Sequence, residues 1–253
     1  MELEICVDSV ESAIAAARGG AERIELCSAL SEGGITPSAG LISAVREAVG
    51  IQVFVIIRPR GGNFVYSEAE LGVMRRDIAA AQERRVDGVV LGVLTPDHEV
   101  DRARTTELIE LARPLQVTFH RAFDVCRDLE RALEDVIACG ADRLLTSGGP
   151  SDAVNGLQTI VGLQRKAGDR IRVMAGGGVR IGNVRTIAAR TGIREVHTSL
   201  GTTIKSMPYD GGADGNMLHG GSERFVVREN DVRALKSALQ AIAVEAEARG
   251  PLQ

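Results

Sequence analysis

Apolar residues in this chain cluster in short runs, and eight of these runs read as strands: 3–7, 23–27, 52–57, 87–91, 116–120, 143–147, 171–175 and 195–199. The stretches between them carry helical periodicity and end signals. Thr36-Pro37 offers a cap and a first-turn proline with Gly50 closing that helix, Ser67 and Glu70 have capping-box spacing, and Asp128, Asp152 and Asn230 offer later caps. Eight strand–helix alternations with no linker of biased composition predict an α/β fold, a TIM (β/α)8 barrel forming a single domain over residues 1–253. A doubly wound open sheet is the rival architecture. One segment breaks the alternation. From 200 to 229 no element is evident, and the glycine-rich stretch 211–221 within it is built for mobility, as a lid or a disordered loop at the barrel mouth.

Successive strand residues point to opposite faces. In the first strand Leu3, Ile5 and Val7 share a face, which leaves Glu4 and Cys6 on the other; in the second, Ile24 and Leu26 oppose Arg23, Glu25 and Cys27. With the apolar face under the helices, Glu4, Cys6, Glu25 and Cys27 point into the barrel, joined by Thr118, His120, His197 and Ser199. Buried charge is costly unless paired, and Arg58 and Arg60 are the expected partners of Glu4 and Glu25. Two strands run directly into charge, Val53-Phe54-Val55-Ile56-Ile57 into Arg58-Pro59-Arg60 and Val117-Thr118-Phe119 into His120-Arg121-Ala122-Phe123-Asp124. Parallel α/β folds carry their sites at that sheet edge.

Composition narrows the partners. A net charge of −4, scattered basic residues, 3% aromatics and no tryptophan argue against nucleic acid and against an anionic membrane surface. An acidic start that leads straight into a strand, with no long apolar run, predicts a cytoplasmic protein without a membrane span. In that compartment Cys6, Cys27, Cys126 and Cys139 are expected to be thiols; no C-x-x-C occurs, and Cys139, at a helix end, belongs to the core.

The chemistry-bearing residues support two readings. Cys6 and Cys27 lie inward at the ends of neighbouring strands about 4.8 Å apart, where two thiolates can hold Cu(I), a soft ion of low coordination number. Buried cysteines also pack as plain small hydrophobes. The other reading is an enzyme acting on a small anionic substrate, phosphorylated compounds included. Glu25, Arg58, His120 and Asp124 would form its catalytic group near His197, since imidazole exchanges protons near neutral pH and a carboxylate can orient it. Arg58 and Arg60 would grip the anion together with Gly176, Gly177, Gly178 and Ser199, because the loops after strands seven and eight form the common phosphate site of these barrels.

Taken together, Arg23-Ile24-Glu25-Leu26-Cys27, Glu32-Gly33-Gly34-Ile35-Thr36-Pro37-Ser38, Ile56-Ile57-Arg58-Pro59-Arg60-Gly61-Gly62, Val117 to Asp124, Leu145-Thr146-Ser147-Gly148, Met174-Ala175-Gly176-Gly177-Gly178 and Glu195-Val196-His197 resemble the CutC copper homeostasis proteins. The resemblance runs from about residue 2 to 200 and thins over 201–228. It implies a TIM barrel, a cytoplasmic location, a homodimer or higher homo-oligomer, a role in copper homeostasis, and copper binding with Cys6 and Cys27 as ligands.

Overall fold

The computed structural model describes residues 1–205 and 223–249. Eight parallel strands close into a barrel: β1 (Glu2–Val7), β2 (Arg23–Leu26), β3 (Gln52–Ile56), β4 (Gly88–Leu91), β5 (Gln116–Phe119), β6 (Arg143–Thr146), β7 (Arg172–Ala175) and β8 (Glu195–Thr198). Helices α1 (Val10–Arg18), α2 (Ala39–Ala48), α3 (Glu68–Glu83), α4 (Arg102–Ala112), α5 (Leu129–Ala138), α6 (Leu157–Ala167), α7 (Val184–Thr191) and α8 (Glu229–Arg249) separate and follow them. The molecule is therefore the TIM barrel that the alternation predicts. Closure is made by β1 and β8, with Glu4 opposite His197 on one side and opposite Arg23 of β2 on the other.

The outward strand faces are apolar. Leu3, Ile5, Ile24, Leu26, Val53, Val55, Val89, Leu91, Val117, Phe119, Leu144 and Val196 are fully buried in the layer between sheet and helices. Burying each such side chain contributes roughly 1.5–3 kcal/mol, so this layer supplies most of the cohesion. A second, separate apolar cluster of Cys6, Cys27, Phe54, Ile56 and Val90 fills part of the barrel interior.

Helix starts follow local hydrogen-bond chemistry, and some differ from the sequence reading. Ser67 and Glu70 make the expected capping box on α3, and Asp128 caps α5. On α2 the cap is Ser38, whose hydroxyl accepts from the Leu41 N–H. Thr36 is drawn away because its hydroxyl exchanges hydrogen bonds with the Arg58 backbone. Gly50 lies one residue beyond the cap Val49. Asp152 closes a turn onto Asn155 ahead of α6, and Asn230 sits inside the first turn of α8.

In the region 200–229, Thr202–Lys205 (β9) and Glu223–Val226 (β10) pair as an antiparallel ribbon. Each is only four residues long and finds its partner some way along the chain, which is why alternation gives no local signal. The glycine-rich stretch 211–221, His219 included, lies outside the described residues. Among the described residues no helix is long and apolar enough to cross a membrane.

Candidate functional site

The barrel interior is polar at its centre. Arg23 of β2 is 1% exposed and reaches Glu4 through Nε, Glu195 through Nη2 at 2.7 Å and the half-exposed Glu2 through Nη1 at 3.3 Å. Arg143 of β6, fully buried, binds the same Glu195. The Phe54 ring lies 5.0 and 5.4 Å from the two guanidinium carbons. These arginines stand at strand starts, where alternation places Arg23 on the inward face but names no partner. The structure therefore corrects the expected pairing: Glu4 is held by Arg23 and His197, not by Arg58 or Arg60. Burial alone would raise the Glu4 carboxyl, but Arg23 and His197 hold it at about 2.

Above this network, toward the carboxyl ends of the strands, the two inward cysteines meet. Cys6 Sγ lies 3.5 Å from Cys27 Sγ, and Cys27 also directs its thiol to the Val7 carbonyl oxygen. Both are buried free thiols. The Cys27 hydrogen bond and burial together push the Cys6 thiol well above its usual range. A carboxylate oxygen of Glu25 and a ring nitrogen of His197 stand with Cys6 Sγ in a group whose members all lie within 4.8 Å of one another. Burial raises the Glu25 carboxyl, although His197 opposes this, and Glu25 Oε2 has no hydrogen-bond partner. His197 Nδ1 is 2.6 Å from Glu4 Oε1; burial lowers its affinity for a proton, and the carboxylates of Glu25 and Glu4 more than restore it. Cys126 and Cys139 are buried away from this group, against Ala122 O and Arg102 O, and burial raises Cys126 to about 12.

The other sequence-derived candidates fall in different places. Arg58 is buried and folds back over the loop after β2, donating to the carbonyls of Glu32, Gly34 and Gly62. Its Nε is buried without a partner, as is Tyr66 Oη beside it. Phe64 lies between Arg58 and His120, 5.1 Å from the guanidinium carbon and 5.0 Å from the imidazole centroid. His120 is held at about 3 by burial and then by the Arg58 charge; its Nδ1 accepts the Ala122 N–H, so the proton of the neutral ring sits on Nε2, which is buried and unpartnered. Arg60 is bound to Glu70 and to the Asn63 and Val65 carbonyls. Asp124 accepts from Arg121, Thr146 and Ser147 and from the Gly149 N–H, so both oxygens serve to anchor the end of β6. Gly177 and Gly178 adopt φ of +92° and +66°, and the Arg121 guanidinium packs over Gly177. Ser199 is half-buried just past β8.

The structure therefore brings Cys6, Cys27, Glu25 and His197 together, with Arg58 and His120 in a second group around Phe64. The loop after β2 forms the roof. Ser28 and Ile35 pair in an antiparallel bridge, and Gly34 at φ +86° sits against Cys27 and Ile56.

The CutC family model matches residues 1–202. A CutC protein of Chromobacterium violaceum is 48% identical over 240 residues, covering 94% of this chain and 97% of its own length. The human copper homeostasis protein cutC homolog is 50% identical over 204 residues, or 81% of this chain and 75% of that protein. The crystal structure of CutC from Streptococcus agalactiae superposes with a TM-score of 0.76 at 34% identity, covering 79% of this chain and 98% of that one. Thiamine phosphate pyrophosphorylase of Pyrococcus furiosus, with a TM-score of 0.58 at 21% identity, shares the fold alone. With the family's pattern running through every barrel strand, this chain belongs to the CutC family.

Proposed function

We propose that this chain is a cytoplasmic copper homeostasis protein that holds Cu(I) between Cys6 and Cys27. The observation that carries the reading is the 3.5 Å approach of the two sulfurs inside a buried cluster otherwise lined by Phe54, Ile56 and Val90. The donor chemistry fits the ion. Thiolates are soft ligands suited to Cu(I), and Phe54, Ile56 and Val90 pack about the sulfur pair, with the Glu25 carboxylate and the His197 ring beside Cys6. The human relative's name, a copper homeostasis protein, points the same way. A site under a folded-back loop and below the rim suits retention of the ion more than rapid hand-over.

Anaerobic titration of the reduced protein against a chromophoric Cu(I) chelator is the test, with binding of about one ion per chain expected from two soft donors. Cys27→Ser and Cys6→Ser should each abolish binding, whereas Cys126→Ser and Cys139→Ser should leave it intact. Uptake that survives loss of both Cys6 and Cys27 removes the reading.

A second reading, an enzyme site for a small anion, is favoured by a separate observation: Arg58 Nε and His120 Nε2, whose side chains both pack against Phe64, are buried donors without partners. Such orphaned groups each cost about 1–3 kcal/mol unless a ligand or water accepts from them. In this reading Arg58 and a neutral His120 both donate to the bound anion, so His120 polarises rather than abstracts. Inorganic phosphate should then shift the His120 Nε2 resonance in wild type and not in Arg58→Lys; an unmoved resonance in wild type rejects it.

A further inference from the structure

Cys6 belongs to two donor groups of different chemistry. With Cys27 it forms a sulfur pair, and with Glu25 and His197 it forms a mixed group of one sulfur, one carboxylate oxygen and one imidazole nitrogen, all within 4.8 Å of one another. Two features of the mixed group point to an ion. Glu25 is 5% exposed, yet its Oε2 has no partner, an unusual state for a buried carboxylate. The His197 ring is fixed from behind, since Nδ1 lies 2.6 Å from Glu4 Oε1, and among the described residues no hydrogen bond engages Nε2. A carboxylate behind a histidine is the arrangement that orients metal-ligating imidazoles.

The charges also match. Arg23 and Arg143 balance Glu4 and Glu195 in the network below, so a cation that displaces the protons of Cys6 and Glu25 meets two negative charges of the site's own. Sulfur, nitrogen and oxygen donors together suit a borderline cation, and Zn2+ takes all three at about 2.0–2.3 Å. A tetrahedral zinc would hold such ligands about 3.4–3.8 Å apart, a contraction that a carboxylate and a cysteine side chain can make by rotation.

We infer that Cys6, Glu25 and His197 form a binding site for a borderline divalent cation of the Zn2+ type, distinct from the Cys6–Cys27 pair and in competition with it for the Cys6 sulfur. Three protein donors leave one position of a tetrahedral ion open to water or a small ligand, the arrangement of catalytic rather than structural zinc. Only the competition rests on the copper reading above; the cation site stands apart from it.

The experiment uses Co2+ as the spectroscopic probe for Zn2+ on the reduced full chain under anaerobic conditions. Binding should produce a sulfur-to-cobalt charge-transfer band together with the visible bands of tetrahedral cobalt, both bleached by Zn2+. Addition of Cu(I) should bleach them as well, because it takes Cys6. Glu25→Gln, which keeps the side-chain shape, and His197→Ala should lose the cobalt spectrum and keep Cu(I) uptake; Cys27→Ser should do the reverse. Circular dichroism on each variant establishes that the barrel is intact. Absence of the charge-transfer band in wild type overturns the inference, as does a band unchanged in Glu25→Gln and His197→Ala, or simultaneous binding of Co2+ and Cu(I). Cobalt failure with normal Cu(I) uptake overturns this site alone, and loss of Cu(I) uptake with a normal cobalt spectrum overturns the copper site alone.

Discussion

Arg23 and Arg143, from strands on different sides of the barrel, share one carboxylate: Glu195 receives Arg23 Nη2 at 2.7 Å and Arg143 Nε. Removing one member of a buried ion pair typically costs about 3–5 kcal/mol, because the other charge is left without compensation. Glu195→Ala strands parts of two guanidiniums, whereas Arg143→Ala leaves Glu195 with Arg23. Glu195→Ala is therefore expected to lower the urea midpoint more than Arg143→Ala. Exposed pairs such as Arg75–Glu107 should change stability by no more than about 1 kcal/mol. Equal losses for Glu195→Ala and Arg143→Ala would show that the two contacts act independently.

The same network marks where sequence reading stops. Period-two alternation places Glu4, Cys6, Glu25, Cys27 and His197 inward because each lies on a strand whose opposite face is plainly apolar, and the structure brings these five side chains together. Alternation is a one-strand property, however, and says nothing about which strand an arginine reaches toward. Arg58 and Arg60 follow β3 directly at the same edge of the sheet, which makes them the expected partners of Glu4 and Glu25. They are claimed by backbone carbonyls and Glu70 because Gly33 and Gly34, at φ +81° and +86°, turn the loop after β2 back over them. Arg143 carries no local signal, since a lone arginine opening an apolar strand reads as a solvated end. The ribbon of β9 and β10 carries none for the same reason, as its pairing is not local.

Gly88 leaves room for the ring that packs against the two buried arginines. A methyl group at Gly88 would come within 2.6 Å of Phe54 ring carbons, and Phe54 is itself fully buried against Arg23 and Arg143. Gly88→Ala should therefore destabilise by about 1–3 kcal/mol through overpacking. Combining it with Phe54→Leu should recover part of that loss, a non-additivity that thermal melting of the two single variants and the double variant would reveal. Strict additivity would mean that the ring has another way out.

His120 makes stability depend on acidity in a definite direction. Burial and the Arg58 charge lower its folded value to about 3 from an ordinary 6.5. Between those values the unfolded chain binds a proton that the native chain refuses, so this group's contribution is complete above pH 6.5 and falls as the pH drops toward 3. The slope approaches 1.4 kcal/mol per pH unit at most. Glu4, held at about 2, adds a loss in the same direction only below about pH 4.5, and His197, with its raised folded value, contributes in the opposite sense near neutrality. His120→Asn keeps an oxygen to accept the Ala122 N–H and removes the titration. Urea denaturation between pH 4.5 and 6.5 should show a flatter pH profile for His120→Asn than for wild type; parallel profiles would place His120 in contact with water.

Gly34 packs directly against the Cys27 side chain. It holds φ at +86°, a conformation that costs an L-residue roughly 1–2 kcal/mol, and an added methyl group would sit 3.4 Å from Cys27 Cβ, 3.5 Å from Ile56 Cδ1 and 3.7 Å from Cys27 Sγ. Its carbonyl also receives Arg58 Nη1 at 2.8 Å, so the loop conformation and the arginine are coupled. Gly34→Ala should therefore loosen the roof more than the barrel. Global stability is expected to fall by about 1–2 kcal/mol, while the native-state reaction of Cys27 with an aromatic disulfide accelerates by a larger factor than that loss alone would give. Gly50→Ala, at a position with open space around the added methyl group, is the control and should leave the thiol rate unchanged. A Gly34→Ala thiol rate that scales only with global unfolding would mean that the sulfurs are reached through the opened barrel and not beneath this loop.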